Sequence, residues 1–398
     1  MNKRSTTGQA YLAGDHCQHT WGIEIPNMAF QWLIGGSNVL PTQRYFGVSG
    51  EGKSFKSTLM VEIGNWFLSQ GGVHVHIDTE NKTSASMLEA MTESRFDTLE
   101  SVPRIFKVVG SIDEWQDQVT TIINTLRDMG TMKKGERRPF FIVVDSLTGR
   151  STMEADRELR KEGMAAERGY PVASAKITNY LEALSMLGTT ASMGWVQHLK
   201  QDISQAAGYG GPVMKEKGAT AAKFSCSTHL RVSKKATVIH AADHPSAPFP
   251  GIPVEGHTLY ITSTLSCVGP DRRRLEVDLL WQHVPQDDGS TKQVMWFDWD
   301  GALGRLLYKM KYGERDKLYA AEIQRLDEAV NFVKGKSSTK VKCTNLGLDD
   351  GHFSEFGKAI ADDITTYDKV SRFLNIRQFP NIQDADIDFK AGDLPKKK

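Results

Sequence analysis

Cysteine is scarce: Cys17, Cys226, Cys267 and Cys343 are the only four in 398 residues, far apart and without paired spacing. Neither a disulfide framework nor a zinc ribbon is built that way, and a reducing compartment, the cytoplasm, is the expected location. No sign of charge dominates. Lys and Arg (49) almost cancel Asp and Glu (48), leaving +1. That balance excludes histone-like binding by bulk positive charge and leaves only a local basic groove as a nucleic-acid surface. No stretch approaches the roughly 18 uninterrupted apolar residues of a membrane span. The charged N-terminus (MNKRSTTGQAYLAGDHCQHTW) is not followed by an apolar secretory core. His16-Cys17-x-His19 has no distant partner pair to complete a metal site, and no period of about 20–50 residues recurs.

What remains is ordinary globular composition, 39% apolar and 24% charged. The length exceeds one domain of about 100–200 residues. Asn27 to Ile34 reads as a short apolar helix stopped by Gly35-Gly36. Arg44 to Ser49 reads as a strand running into a Gly/Ser/Lys loop and then a helical run, Leu59 to Ser69. A second strand, Val73 to Ile77, ends at Asp78-Thr79-Glu80, and a third spans Ile105 to Val109. The capping-box spacing of Ser111-Ile112-Asp113-Glu114 opens a helix to about Met129. Phe140 to Asp145 (FFIVVD) is an unbroken apolar run ending in an acid, the pattern of a strand covered on both faces. A helix, about Val172 to Leu187, and a strand, Met193 to Val196, follow, so the middle of the chain repeats the βα unit of a parallel sheet. From Phe224 to about Asp300 strands with hairpin-like turns take over. From Gly301 a helical period runs through Leu306, Ala320, Ile323, Leu326, Val330 and Val333, ahead of a solvated tail, DADIDFKAGDLPKKK.

The first strand, its loop and its helix have the order that a phosphate loop requires. Such a loop wraps backbone N–H groups around phosphates, places an ammonium on the outer ones and offers a hydroxyl to Mg²⁺ at a helix start. Two registers compete. The strict pattern G-x-x-x-x-G-K-[ST] matches Gly47 to Ser54, with Lys53 as the phosphate lysine. An overlapping segment, Gly50-Glu51-Gly52-Lys53-Ser54-Phe55-Lys56-Ser57, has the same shape with Phe55 in place of the second Gly. The strict register ends the strand near Phe46, whereas the second leaves room for Arg44 to Ser49. We prefer Lys56-Ser57.

The segment GEGKSFKST resembles the phosphate loop of the phage UvsX recombinases and, more distantly, that of bacterial RecA. The intervals from Leu40-Pro41 to Gly50 and from Lys56 to Glu80 look like the RecA pattern in the second register. The resemblance covers about Ile25 to about Trp281. It implies an α/β fold: a RecA-like P-loop ATPase core with a mostly parallel sheet (35–300), an N-terminal oligomerisation segment (1–34) and a helical C-terminal domain with tail (301–398). It also implies an ATP-dependent DNA recombinase that forms a helical filament on single-stranded DNA and then pairs it with duplex DNA for strand exchange. Single-strand-binding and loader proteins are further expected partners. The implied cofactors are ATP, held by Gly50, Glu51, Gly52, Lys53, Ser54, Phe55, Lys56, Ser57 and Thr58, and Mg²⁺, held by Ser57 and Asp145. Glu80 takes the role of general base, Lys56 that of phosphate lysine, and His198 that of the γ-phosphate sensor.

Beyond His198 a polar loop from Lys200 to about Lys217 (KQDISQAAGYGGPVMKEK) combines lysines, glycines and an apolar tip. Glycines let backbone approach phosphates, lysines neutralise them, and an apolar side chain separates bases. By the resemblance this is the second DNA-binding loop, with Lys200, Ile203, Lys215, Lys217 and Gly218 as contacts. Arg168 belongs to a first such loop between Ser151 and Pro171. Two departures stand out. The family's adenine-reading acid and aromatic fall here at about Ser84 and Met87. The family's lysines from a neighbouring subunit fall on Tyr260 to Thr264, which has none, leaving Arg272, Arg273 and Arg274 as candidate substitutes. Two other classes share these features: a hexameric RecA-core helicase, and a nucleotide-switched DNA coat protein without useful turnover.

Overall fold

The computed structural model describes residues 22–41, 44–81, 83–92, 95–96, 103–109, 113–114, 116–121, 139–147, 191–201, 214–216, 226–240, 244–309, 350–379 and 381. The helix expected over Val172 to Leu187, the His16-Cys17-His19 group, Arg168, Ile203, Lys217, Gly218 and the C-terminal tail lie outside them.

The molecule is a mixed α/β structure built on one large, mostly parallel sheet. Six strands run parallel in the centre and at one edge: β3 (Tyr45–Gly50), β4 (Val73–Asp78), β5 (Arg104–Val108), β6 (Phe140–Asp145), β7 (Ala191–Gln201) and β9 (Cys226–His240). Three antiparallel strands extend it: β10 (Val254–Ser266), β11 (Arg274–Pro285) and β12 (Thr291–Asp298). The order across the sheet is β12-β11-β10-β9-β3-β7-β6-β4-β5. This is compatible with a Rossmann- or RecA-like core.

Burial explains the assignment of each strand. Every residue of β6 is buried, as its unbroken apolar run requires of a strand covered on both faces. In β4 the alternation of apolar residues with His74 and His76 does not mark a wet face, because both histidines are fully buried. β5, at the sheet edge, leaves Ile105 and Val108 exposed.

Helix α2 (Lys56–Ser69), which follows β3, is buried nearly all round, as a helix enclosed in a core must be. Phe67 stacks on Phe141 of β6, and Trp66 meets Phe30 of α1 (Met28–Leu33) edge-on at 4.8 Å. Asn27 caps α1, its side chain accepting from the Phe30 N–H at 2.9 Å. The buried Glu62 carboxylate ties three elements together: it accepts from the indole N–H of Trp66 at 3.2 Å and of Trp299 at 2.9 Å, and it pairs with Arg95.

Helices α4 (Trp299–Lys309), α5 (Asp350–Asp362) and α6 (Ile364–Phe373) close the described chain. Leu303, Leu307, Phe353, Phe356, Ile360 and Val370 join the same apolar cluster as α1 and α2. The short strands β1 (Gly22–Glu24) and β2 (Val39–Pro41) pair with each other. They are also bridged to the chain beyond α6 through Gly22–Asn381 and Ser37–Arg377.

The described boundaries differ from the sequence reading in one functional place. The strand expected over Met193 to Val196 runs on through Gln197, His198 and Lys200 to Gln201, and its end pairs antiparallel with β8 (Met214–Glu216), Lys200 facing Lys215 in register. Lys200 and Lys215 therefore belong to a strand ladder and not to a free loop. The polar composition of this stretch hides it, because a strand that outruns its neighbours has no apolar face to reveal it.

Candidate functional site

The site is assembled at the C-terminal ends of the parallel strands, the edge at which open α/β sheets place their ligand crevices. Register fixes which residues meet there. Gly50 of β3 lies beside His198 of β7, and Asp78 of β4 beside Asp145 of β6. Glu80 and Ser146 follow directly from those two strand ends.

The loop after β3 runs from Glu51 to Phe55, between the strand's end and the start of α2. The strand runs through Gly47 to Gly50, so the strict pattern's first glycine lies inside a strand, while α2 opens at Lys56 itself. A Cβ on Gly50 would stand 2.4 Å from the Val232 carbonyl oxygen and 2.6 Å from Ser54 Oγ, so only glycine fits as the chain turns. Lys53 is exposed, whereas Lys56 is 4% exposed, its Nζ donating to the Glu51 carbonyl at 2.5 Å from within the loop. Phe55, the residue that departs from the strict pattern, has φ +63°, the left-handed backbone that glycine would adopt freely. Its ring lies against His257 at 5.2 Å, and His257 lies against Trp281 at the same distance. Phe55 thus packs on β10 and, through His257, toward β11. Ser57 sits in the first turn of α2 and Thr58 beside it is buried.

Three groups converge on Glu80. His198 Nε2 lies 2.7 Å from Glu80 Oε1, and Ser146 Oγ donates to the same oxygen. Asp78 holds the turn that carries Glu80, one carboxylate oxygen accepting from the Glu80 N–H and the other from the Thr83 N–H, both at 2.8 Å. Thr79 clasps the adjacent strand end: its hydroxyl donates to the Ser146 carbonyl at 2.7 Å and accepts from the Ser146 N–H at 2.9 Å. The Asp145–Ser146 peptide is cis. Asp145 is buried, with His76 Nε2 at 3.6 Å.

Behind the acids lies a buried polar cluster. Burial, together with the Arg104 charge and His76, holds His74 well below the ordinary histidine range. Neutral His74 accepts from Arg104 Nε at 2.9 Å, and the same guanidinium donates to Asn65 Oδ1 at 2.5 Å and to Thr92. Burial pushes Arg104 down to about 10.

Sequence reasoning missed Ser146, Thr79 and Asp78 as parts of the site. The only signal is positional: a hydroxyl residue directly after a strand-end acid, and an acid two residues before the candidate base. Of the expected residues, Lys56, Ser57, Glu80, Asp145 and His198 come to one edge of the sheet. Ser84 caps α3 (Ala85–Thr92), its hydroxyl accepting from the Met87 N–H at 3.1 Å. The three arginines near the β10–β11 turn have separate fates. Arg273 is turned inward, donating to the Trp32 carbonyl at 2.5 Å and lying over the Trp32 ring, and burial lowers its pKa. Arg274 lies over Tyr260, and both it and Arg272, with φ +61°, are exposed. Among the described residues no helix is long and apolar enough to cross a membrane.

A scan against family models finds no match for this chain, and a search of curated proteins finds none either.

Proposed function

We propose that the chain is a DNA-dependent ATPase of the RecA/UvsX recombinase kind, assembling on single-stranded DNA as a helical filament and promoting pairing and strand exchange. The observation that carries this reading is the convergence of the Lys56 loop with Glu80, Asp145 and His198 on one strand edge. The donors suit a nucleoside triphosphate: a tight turn at a glycine that tolerates no Cβ, a helix N-terminus, and a lysine already drawn into the loop.

In this reading Lys56 and the loop N–H groups bind the outer phosphates. Glu80, oriented by Ser146 and by the Asp78-held turn, accepts a proton from the attacking water. His198, in contact with Glu80 and on the strand leading to Lys200, links the state of the site to the DNA-binding segment. Ser57 and Asp145 are the oxygen donors that would hold Mg²⁺, which supplies neutralisation of charge on the phosphate oxygens. Subunits joined head to tail through an interface that does not close form a filament.

The test is ATP turnover with and without single-stranded DNA, in the wild type and in Glu80→Gln, beside electron microscopy of the DNA complex. DNA-stimulated turnover lost in the variant, on open filaments, is expected. Closed six-membered rings that unwind duplex would instead make it a helicase, and binding without turnover a coat protein.

A further inference from the structure

His74 and His76 lie on the same face of β4, and both are fully buried, yet only the His74 ring takes part in a hydrogen bond, from Arg104. Neither ring nitrogen of His76 has a hydrogen-bond partner among the described residues. A buried polar atom left unpaired costs about 1–3 kcal/mol, so a ring that carries two of them calls for a reason. Packing supplies none. The His76 ring stacks on Phe106 of β5 at 5.7 Å and meets His74 edge-on at 5.8 Å, and a phenyl ring would keep both contacts without burying a polar edge.

The reason lies at the end of the neighbouring strand. Val143 of β6 stands opposite His76, and Asp145 lies two residues further on, on the same face. His76 Nε2 is 3.6 Å from Asp145 Oδ2. The Asp145 carboxylate is buried as well, and His76 is the only described side chain within ion-pair reach of it. At 3.6 Å the two groups stand just beyond a hydrogen bond, and contacts of this kind tighten once a site is filled. A carboxylate that serves a metal ion is itself held by a hydrogen bond from behind, which fixes its orientation.

We propose that His76 is the positioning residue for Asp145: its Nε2–H holds one carboxylate oxygen and leaves the other for the divalent cation that accompanies the nucleotide. This rests on the ATPase reading, in which Asp145 serves Mg²⁺, and it gives that acid a partner which the strand-end residues do not supply.

The full chain, in excess over ADP, is titrated with Mn²⁺ in place of Mg²⁺, and bound Mn²⁺ is followed by electron paramagnetic resonance. Calorimetry in the presence of a chelator gives the affinity for ADP alone. His76→Phe keeps the stacking on Phe106 and removes the donor. It is expected to weaken Mn²⁺ about tenfold or more, the range for losing such a partner, with metal-free ADP affinity unchanged. His76→Gln, whose amide N–H can stand in for Nε2–H, is expected to recover most of the loss, which a residue that only fills space would not allow. In an Asp145→Asn background His76→Phe should bring no further loss, since the two act as one unit. Should the phenylalanine variant not fold, His76→Met makes the same comparison. The two kinds of failure are distinct. A wild-type chain that forms no Mn²⁺–ADP complex sinks the ATPase reading and this inference with it. A wild-type complex whose Mn²⁺ affinity is unchanged in His76→Phe, or is lost there and not recovered in His76→Gln, overturns the role of His76 alone.

Discussion

His198 Nε2 lies 2.7 Å from Glu80 Oε1, joining the ends of β7 and β4 across the intervening end of β6. A contact of this kind lets one strand report on the protonation and position of a carboxylate carried by another. Under the proposed function, His198→Ala should lower DNA-stimulated ATP turnover by roughly tenfold or more, the range for losing a group that acts on a proton-transfer residue. Nucleotide binding, which the proposed function assigns to the Lys56 loop, should change little. Steady-state turnover and nucleotide titration on the same preparation check this. An unchanged kcat would deny His198 any part in the reaction.

The two lysines of the loop make opposite forecasts. Lys56 is buried at the first residue of α2 with its ammonium inside the loop, whereas Lys53 stands in solvent at the outside of the turn. Lys56→Ala should remove turnover by about 10²–10³-fold, the scale for deleting one donor to developing charge. Lys53→Ala should only weaken it. Turnover rates of the two variants give the answer directly, and the reverse ranking would return the phosphate site to the strict pattern.

Much of this arrangement could be read before any coordinates, because its elements announce themselves locally. FFIVVD can hardly be anything but a strand covered on both faces, and every residue of it is buried. Contacts made by distant residues left no such trace. Nothing in the spacing shows that Glu62 holds two indoles, that Arg273 turns inward onto Trp32, or that Ser146 bonds Glu80. The extension of β7 to Gln201 was hidden for another reason: its polar residues pair beyond the edge of the main sheet, where no buried face imposes an alternating pattern.

His74 gives the fold a dependence on acid. It is fully buried and held well below the ordinary range, mainly by loss of solvent and then by the Arg104 charge. The unfolded chain therefore takes up a proton that the folded chain refuses, so stability is retained above about pH 6.5 and declines as the pH falls below it. His74→Gln keeps an acceptor for Arg104 and removes the titration. Denaturant unfolding at a series of pH values should show the slope of stability against pH below 6.5 reduced by about one proton relative to the wild type. Identical slopes would show that His74 does not titrate differently on unfolding.

Asp300 works in the opposite sense. It stands in the first turn of α4, where burial, and then the neighbouring carboxylates of Asp298 and Asp362, push it up to about 6, with Lys358 opposing them. The folded chain holds this proton more firmly than the unfolded chain, whose carboxyl titrates near the ordinary 3.8. Stability is therefore lost as the pH rises from about 4 to about 6, and the deficit persists at neutral pH. Asp300→Asn mimics the protonated form, although it gives up the attraction between a carboxylate and the helix N-terminus. With burial the larger effect, the variant should be about 1–2 kcal/mol more stable than the wild type at pH 7 and equal to it near pH 4. Paired denaturant curves at the two pH values check the sign as well as the size. A variant less stable at pH 7 would mean that the helix terminus, and not the surrounding carboxylates and apolar packing, sets the behaviour of Asp300.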